Sequence, residues 1–172
     1  QTGKFWPCLD PAIFNPSELD TDQWMEASAA LGMKEICITA KHQGGFTMWP
    51  SKHTPYGVHA SKSFRGGHGD VLRDFVASAK RWGIRVCYYI NPLDDGYLAE
   101  VANVSAESFM ERQKGMLTEL LEPGSPYGPV HRLWFDGNGD QRPKAILNNY
   151  SDYYDSCFEL VRQTSPRTLI SQ

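Results

Sequence analysis

Apolar positions recur along this chain in two alternating rhythms. Between Asp20 and Leu31, residues Trp24, Ala27, Ala30 and Leu31 follow the spacing of one helical face, with Asp20 or Thr21 placed as N-cap and Gly32 as the stop. The stretch EICITA, Glu35 to Ala40, is β-branched and nearly continuous, which predicts a parallel strand covered on both faces. Gly69 and Asp70 open a second helix over 71–82, its core face marked by Leu72, Phe75, Val76 and Ala79 and its end by Gly83. IRVCYYI, residues 84–90, predicts the next strand. Ser105 caps a third helix with Glu107 in its first turn, running to about Leu121, where Pro123 and Gly124 break it. RLWFD supplies a third strand, a tyrosine-rich helix runs from about Asp152 to Gln163, and a short fourth strand covers Thr168 to Ile170.

Helices alternating with buried strands imply parallel β-α units, arranged either as an open doubly wound sheet or as a barrel. The connections favour the barrel. Long irregular stretches follow the strands, at 41–68, 91–104 and 137–148, whereas the helix-to-strand turns are short. That asymmetry is expected of a (β/α)8 TIM-like barrel with its active site at the carboxyl ends of the strands. Neither G-x-G-x-x-G nor a P-loop occurs, so a nucleotide-binding open sheet has no support. A complete barrel takes about 250 residues. Residues 1–172 are therefore expected to form one partial barrel catalytic domain of about four β-α units, completed by the remaining part of a longer polypeptide.

Charge narrows the partners. A net charge of -3 with no basic run excludes an electrostatic footprint for nucleic acid, and a neutral substrate fits better. No window approaches the roughly 18 apolar residues of a membrane span, and the start QTGKFWPCLD lacks the order of a signal peptide. Asn103-Val104-Ser105 and Asn149-Tyr150-Ser151 satisfy the N-glycosylation pattern, which points to a secreted or lysosomal/vacuolar protein. Cys8, Cys37, Cys87 and Cys157 form no C-x-x-C pair. Cys37 and Cys87 lie in apolar runs and read as buried packing thiols, while Cys8 with Cys157 is a candidate bridge. The five histidines show no metal-ligand spacing, so neither a metal nor another cofactor is expected.

The candidate chemistry sits at strand ends. Asp136 closes the third strand, and alternation puts Trp134 on its side with Phe135 opposite. An aromatic ring beside a carboxylate suits a glycosidase: the ring packs on a sugar while the carboxylate acts at the anomeric carbon. An Asp-Gly turn is the competing explanation. After the first strand come Lys41, His42 and Gln43, whose imidazole and amide can hold sugar hydroxyls, and Gly44 and Gly45 let the backbone turn. Of Tyr88 and Tyr89, one should face the barrel mouth and the other the helices. Asp94, Asp95 and Asp140 read as solvated loop acids, and FRGGHGD as a helix cap.

In order along the chain, FNPSELDTDQW, ITAKHQGGFTMWPSKHTPYGV, GDVLRDFVASAKRWGIRVCYYINPLD and LWFDGNG strongly resemble the α-L-fucosidases of glycoside hydrolase family 29. PAIFNPSELDTDQW is most similar to the branch that favours α-1,3/1,4-linked fucose. The resemblance implies a retaining exo-glycosidase that hydrolyses terminal α-L-fucosyl linkages without a cofactor. It implies Asp136 as the nucleophile forming a covalent fucosyl-enzyme, with His42, Gln43, Trp49, Tyr88 and Trp134 as substrate-binding residues. It also marks departures. Gln43 stands where the family usually has a second histidine, and Gly44 where it has an aspartate. An early strand resembling F-G-x-F-x-H-x-G is absent, and the general acid/base glutamate is expected beyond Gln172. Glu159, the sole glutamate after Asp136, falls on a predicted helix away from the mouth. A fucose-binding module that does not hydrolyse, and a related barrel glycosidase acting on α-L-galactosides, are the alternatives.

Overall fold

The computed structural model describes residues 9–101, 103–136 and 150–172. Among them, four strands, β1 (Glu35–Lys41), β2 (Arg85–Ile90), β3 (Val130–Phe135) and β4 (Leu169–Ser171), form one parallel sheet in the order β1-β2-β3-β4. Consecutive order without a reversal is the arrangement of a barrel wall, whereas a doubly wound sheet reverses at its switch point. Among the described residues, five α-helices accompany the strands: α1 (Thr21–Ala30), α2 (Val71–Trp82), α3 (Asp95–Glu100), α4 (Ala106–Leu121) and α5 (Tyr150–Thr164).

The caps explain where these helices begin and end. Asp20 accepts from the amides of Asp22 and Gln23, Asp70 from that of Arg73, and Ser105 from that of Ser108, so each satisfies amides that lack intrahelical partners. Gly83 ends α2 at φ 64°, a left-handed conformation that costs a side chain-bearing residue about 1–2 kcal/mol.

One face of the sheet holds the core. Val86, Tyr88, Ile90, Leu133 and Phe135 are buried against Phe75 of α2, Leu117 of α4, and Tyr154 and Val161 of α5. Among the described residues the opposite face is less evenly covered, with Cys87 and Tyr89 buried and Trp134 exposed. Thr39, Tyr89, Trp134 and Ser171 share one register row there, and Trp134 is 45% exposed. A barrel wall has this asymmetry because its inner face meets the other strands, not helices.

Three expectations change. In α1 the buried residues are Thr21 and Met25, while Trp24 and Leu31 are exposed. Alanine-rich α1 has little amphipathic contrast, and its position is set by contact with α2, where the Thr21 and Ser78 hydroxyls share a 2.7 Å hydrogen bond. The stretch 91–104 carries α3, and Asp94 and Asp95, expected to be solvated, are each 1% exposed. Finally, Cys37 and Cys87 are joined in a disulfide rather than packed as thiols, because they are register partners on adjacent strands. Cys157 has a free, buried thiol, and Cys8, its candidate partner, lies outside the described residues.

Candidate active site

Three strand ends build one cluster. Tyr89, the penultimate residue of β2, lies at its centre. His42, just past β1, stacks on the Tyr89 ring with centroids 5.5 Å apart and an interplanar angle of 14°. Trp134 on β3 meets the same ring edge-on at 5.0 Å and 88°. The Tyr89 hydroxyl donates to the Asp136 carboxylate. Asn91 Nδ2 lies 3.5 Å from that hydroxyl.

Backbone contacts hold the acid in place. The Asp136 amide donates to the Ile90 carbonyl at 3.2 Å, extending the β2-β3 pairing one step beyond β3. The Tyr154 hydroxyl of α5 donates to the Asp136 carbonyl at 2.8 Å. Burial, reinforced by its hydrogen bond to Asp136, raises the Tyr89 pKa, so the phenol stays protonated and remains a donor. The product is an exposed carboxylate held by a neutral phenol whose ring meets an indole and an imidazole. Such a site can stack on the apolar side of a sugar, bond its hydroxyls, and present an oxygen nucleophile.

Of the six expected residues, the structure brings Asp136, Trp134 and His42 together, sets Tyr88 and Trp49 apart, and holds Gln43 next to His42 through its carbonyl. Tyr88 is fully buried on the helix side, its hydroxyl donating to the Tyr127 carbonyl at 2.7 Å. Tyr88 therefore stands away from the cluster: it pairs with Leu133, and Tyr89 with Trp134. The sequence carried the signal, since Val86, Tyr88 and Ile90 form the more apolar phase of β2, and the apolar phase faces the helices.

Trp49 also stands apart from the cluster. It is 1% exposed, and its indole Nε1 donates to Glu119 Oε2 at 2.9 Å. The other oxygen of Glu119 accepts from the Lys52 amide at 2.8 Å. This tryptophan anchors the 41–68 segment to α4 and does not wall the cluster.

Gln43 is half-buried, and its carbonyl accepts from the Asp95 amide at 2.8 Å. Beneath it, Lys41 is 1% exposed and donates to the carbonyls of Asn91 at 2.7 Å and Leu93 at 2.5 Å. Burial pulls its pKa down to about 8, against the opposing pull of Asp94. Asp94 in turn binds Arg112 Nε at 3.0 Å and Gln113 Nε2 at 3.3 Å. Glu159 is exposed on α5 and accepts from Gln163. Asn103 is exposed at φ 56°, while Asn149 lies outside the described residues. Among the described residues no group of three or more acidic, histidine or cysteine side chains could hold a metal ion, and no helix is long and apolar enough to cross a membrane.

Comparison with known proteins points the same way. The alpha-L-fucosidase family profile matches residues 9–172. Alpha-L-fucosidase 1 of Arabidopsis thaliana is 32% identical over 169 residues, covering 98% of this chain and 30% of the relative. A rice (Oryza sativa subsp. japonica) protein whose name carries the same enzyme is 38% identical over 161 residues, 94% of this chain and 29% of its own length. This chain thus spans about 30% of the length of these relatives. A crystal structure of a glycoside hydrolase 29 family member from an unknown rumen bacterium superposes with a TM-score of 0.75 at 32% identity, over 94% of this chain and 29% of that one. With a profile match over nearly its whole length, a sheet ordered as a barrel wall, and an acid at the carboxyl end of β3, this chain belongs to the alpha-L-fucosidase family of glycoside hydrolases.

Proposed function

We propose that the protein containing this chain is a retaining exo-α-L-fucosidase in which Asp136 is the nucleophile. The observation that carries this reading is the Asp136 carboxylate hydrogen-bonded to the hydroxyl of Tyr89, whose ring in turn contacts His42 and Trp134, at the carboxyl ends of three adjacent strands. Asp136 attacks C1 of a terminal α-L-fucosyl group, the leaving oxygen takes a proton from a second carboxyl, and water then releases fucose from the covalent fucosyl-enzyme. The second carboxyl must stand about 5–5.5 Å from the first. Glu159, exposed on the helix layer, does not fit that role, so we assign it to the part of the family fold that this chain does not span.

His42 and Gln43 bind sugar hydroxyls, and Trp134 and Tyr89 line the pocket. The substrate is a fucosylated oligosaccharide or glycoconjugate, and PAIFNPSELDTDQW supports a preference for α-1,3/1,4 linkages. A secreted or lysosomal/vacuolar location is supported by the Cys37–Cys87 disulfide and by the exposed Asn103 sequon. The test is hydrolysis of an aryl α-L-fucoside by the full-length protein and its Asp136→Gly variant. The variant should lose about 10³-fold or more in kcat with folding intact. Full activity in the variant would end the assignment. Saturable fucose binding without turnover in the wild type would favour a binding module, and faster cleavage of the aryl α-L-galactoside would move the substrate to that sugar.

A further inference from the structure

The carboxyl ends of β1 and β2 are laced together by an unusual set of bonds. The Asn91 amide donates to the Lys41 carbonyl at 2.9 Å, and the Asp95 amide to the Gln43 carbonyl at 2.8 Å. Lys41 Nζ crosses in the other direction, to the carbonyls of Asn91 and Leu93 at 2.7 and 2.5 Å. The turn is closed on itself as well, because the Leu93 amide donates to Asn91 Oδ1 at 2.9 Å. His42 lies between the two laced residues of the first segment. Tyr89 and Asn91 stand on the second.

A buried ammonium is an expensive way to join two segments, since its desolvation opposes folding. Met or Leu would fill the same space at lower cost. What the ammonium adds is direction: its donors fix where the carbonyls of Asn91 and Leu93 sit. Lys41, Asp94 and Asp95 are each 1% exposed, and Arg112 pairs with Asp94 at 3.0 Å, so two cations and two carboxylates lie together beneath the site. Arg112 also stacks over the Tyr97 ring at 4.3 Å, which ties the group to α3 and α4.

We infer that Lys41 is a positioning residue for the sugar site: by bonding the 91–93 turn to the end of β1, it fixes the His42 ring on Tyr89 and hence the donor to Asp136. It touches no substrate and acts through these three residues. The inference rests on the proposed sugar site, and its test separates the two.

The test uses Lys41→Met in the full-length protein, or Lys41→Gln where the methionine variant does not fold. Two quantities are read. With an aryl α-L-fucoside, kcat/KM should fall about 10- to 100-fold, shared between a higher KM and a lower kcat, as expected when a binding group moves by about an ångström. The ring signals of His42, identified by their loss in His42→Gln, should leave the shifted position that stacking on Tyr89 produces. Those of His59, His68 and His131 should stay. Unmoved His42 signals in a folded variant overturn the inference, and so does a kcat/KM within about twofold of wild type. A wild-type protein that cleaves no fucoside removes the reading of the site and leaves the His42 signals to decide the role of the lysine.

Discussion

Gly45→Ala should destabilise this protein, and its neighbour Gly44→Ala should not. Gly45 sits at φ +86°, and a Cβ built there meets Asp94 Oδ1 at 2.1 Å and Cγ at 3.0 Å. The left-handed conformation alone costs alanine about 1–2 kcal/mol. The close approach adds to this, because the Asp94 carboxylate cannot retreat without loosening its bonds to Arg112, Gln113 and the Tyr97 amide. A buried carboxylate pulled off its donors costs about 1–3 kcal/mol more. The total is about 2–5 kcal/mol. Gly44 has no positive φ, and its added Cβ meets no described atom within 4 Å, so its substitution should stay within about 0.5 kcal/mol. Denaturant titration of the two full-length variants, compared at equal slope, measures the difference directly. Equal midpoints for the two variants would refute the packing of Gly45 on Asp94 and, with it, the placement of that carboxylate beneath the site.

Tyr89→Phe keeps both ring contacts and removes one bond to a charged acceptor, worth about 1.5–3 kcal/mol; kcat/KM on an aryl fucoside should therefore fall about 10- to 100-fold, and unchanged kinetics would separate Tyr89 from Asp136. Trp49→Phe should cost about 1–3 kcal/mol in unfolding free energy, through the lost bond to Glu119, with KM unaltered; a raised KM at unaltered stability would return Trp49 to the sugar pocket. Lys41 gives a pH signature. Its folded pKa of about 8 lies below the ordinary 10.5, so the unfolded chain binds more protons between those values. Stability should thus gain about 3 kcal/mol as pH rises through that window, relative to Lys41→Met, and parallel curves for the two proteins would show that the amine is not buried.

Much of the fold was legible because its signals are local. Asp70 and Gly83 bound α2 where the sequence places them, and alternation along RLWFD put Trp134 and Asp136 together with Phe135 opposite. The errors arose where the decision is tertiary. Of two adjacent tyrosines only one faces inward; the more apolar phase of β2 carries a signal for which, and the pairing of β2 with β3 sets Tyr89 beside Trp134. Asp94 reads as a solvated turn acid until Arg112, 18 residues later on α4, closes on it. Trp49 lies in a motif shared with sugar-binding proteins, yet its partner Glu119 is 70 residues away. The α3 helix is too short for a periodic pattern to mark it. The disulfide is likewise a matter of register: two cysteines 50 residues apart become partners only when β1 and β2 align.

That bond also changes what a protease could release. The chain between Cys37 and Cys87 includes the long segment after β1, where Lys52, Lys62 and Arg65 are exposed. A tryptic cut at any of these residues leaves the two pieces covalently joined. A nicked molecule would run as one band until reduced, then separate at a site that reports which part of the segment had opened. The strand bearing Thr39 and the strand bearing Tyr89 would stay tethered through the cut, so the two sides of the pocket need not part when the loop above them is broken.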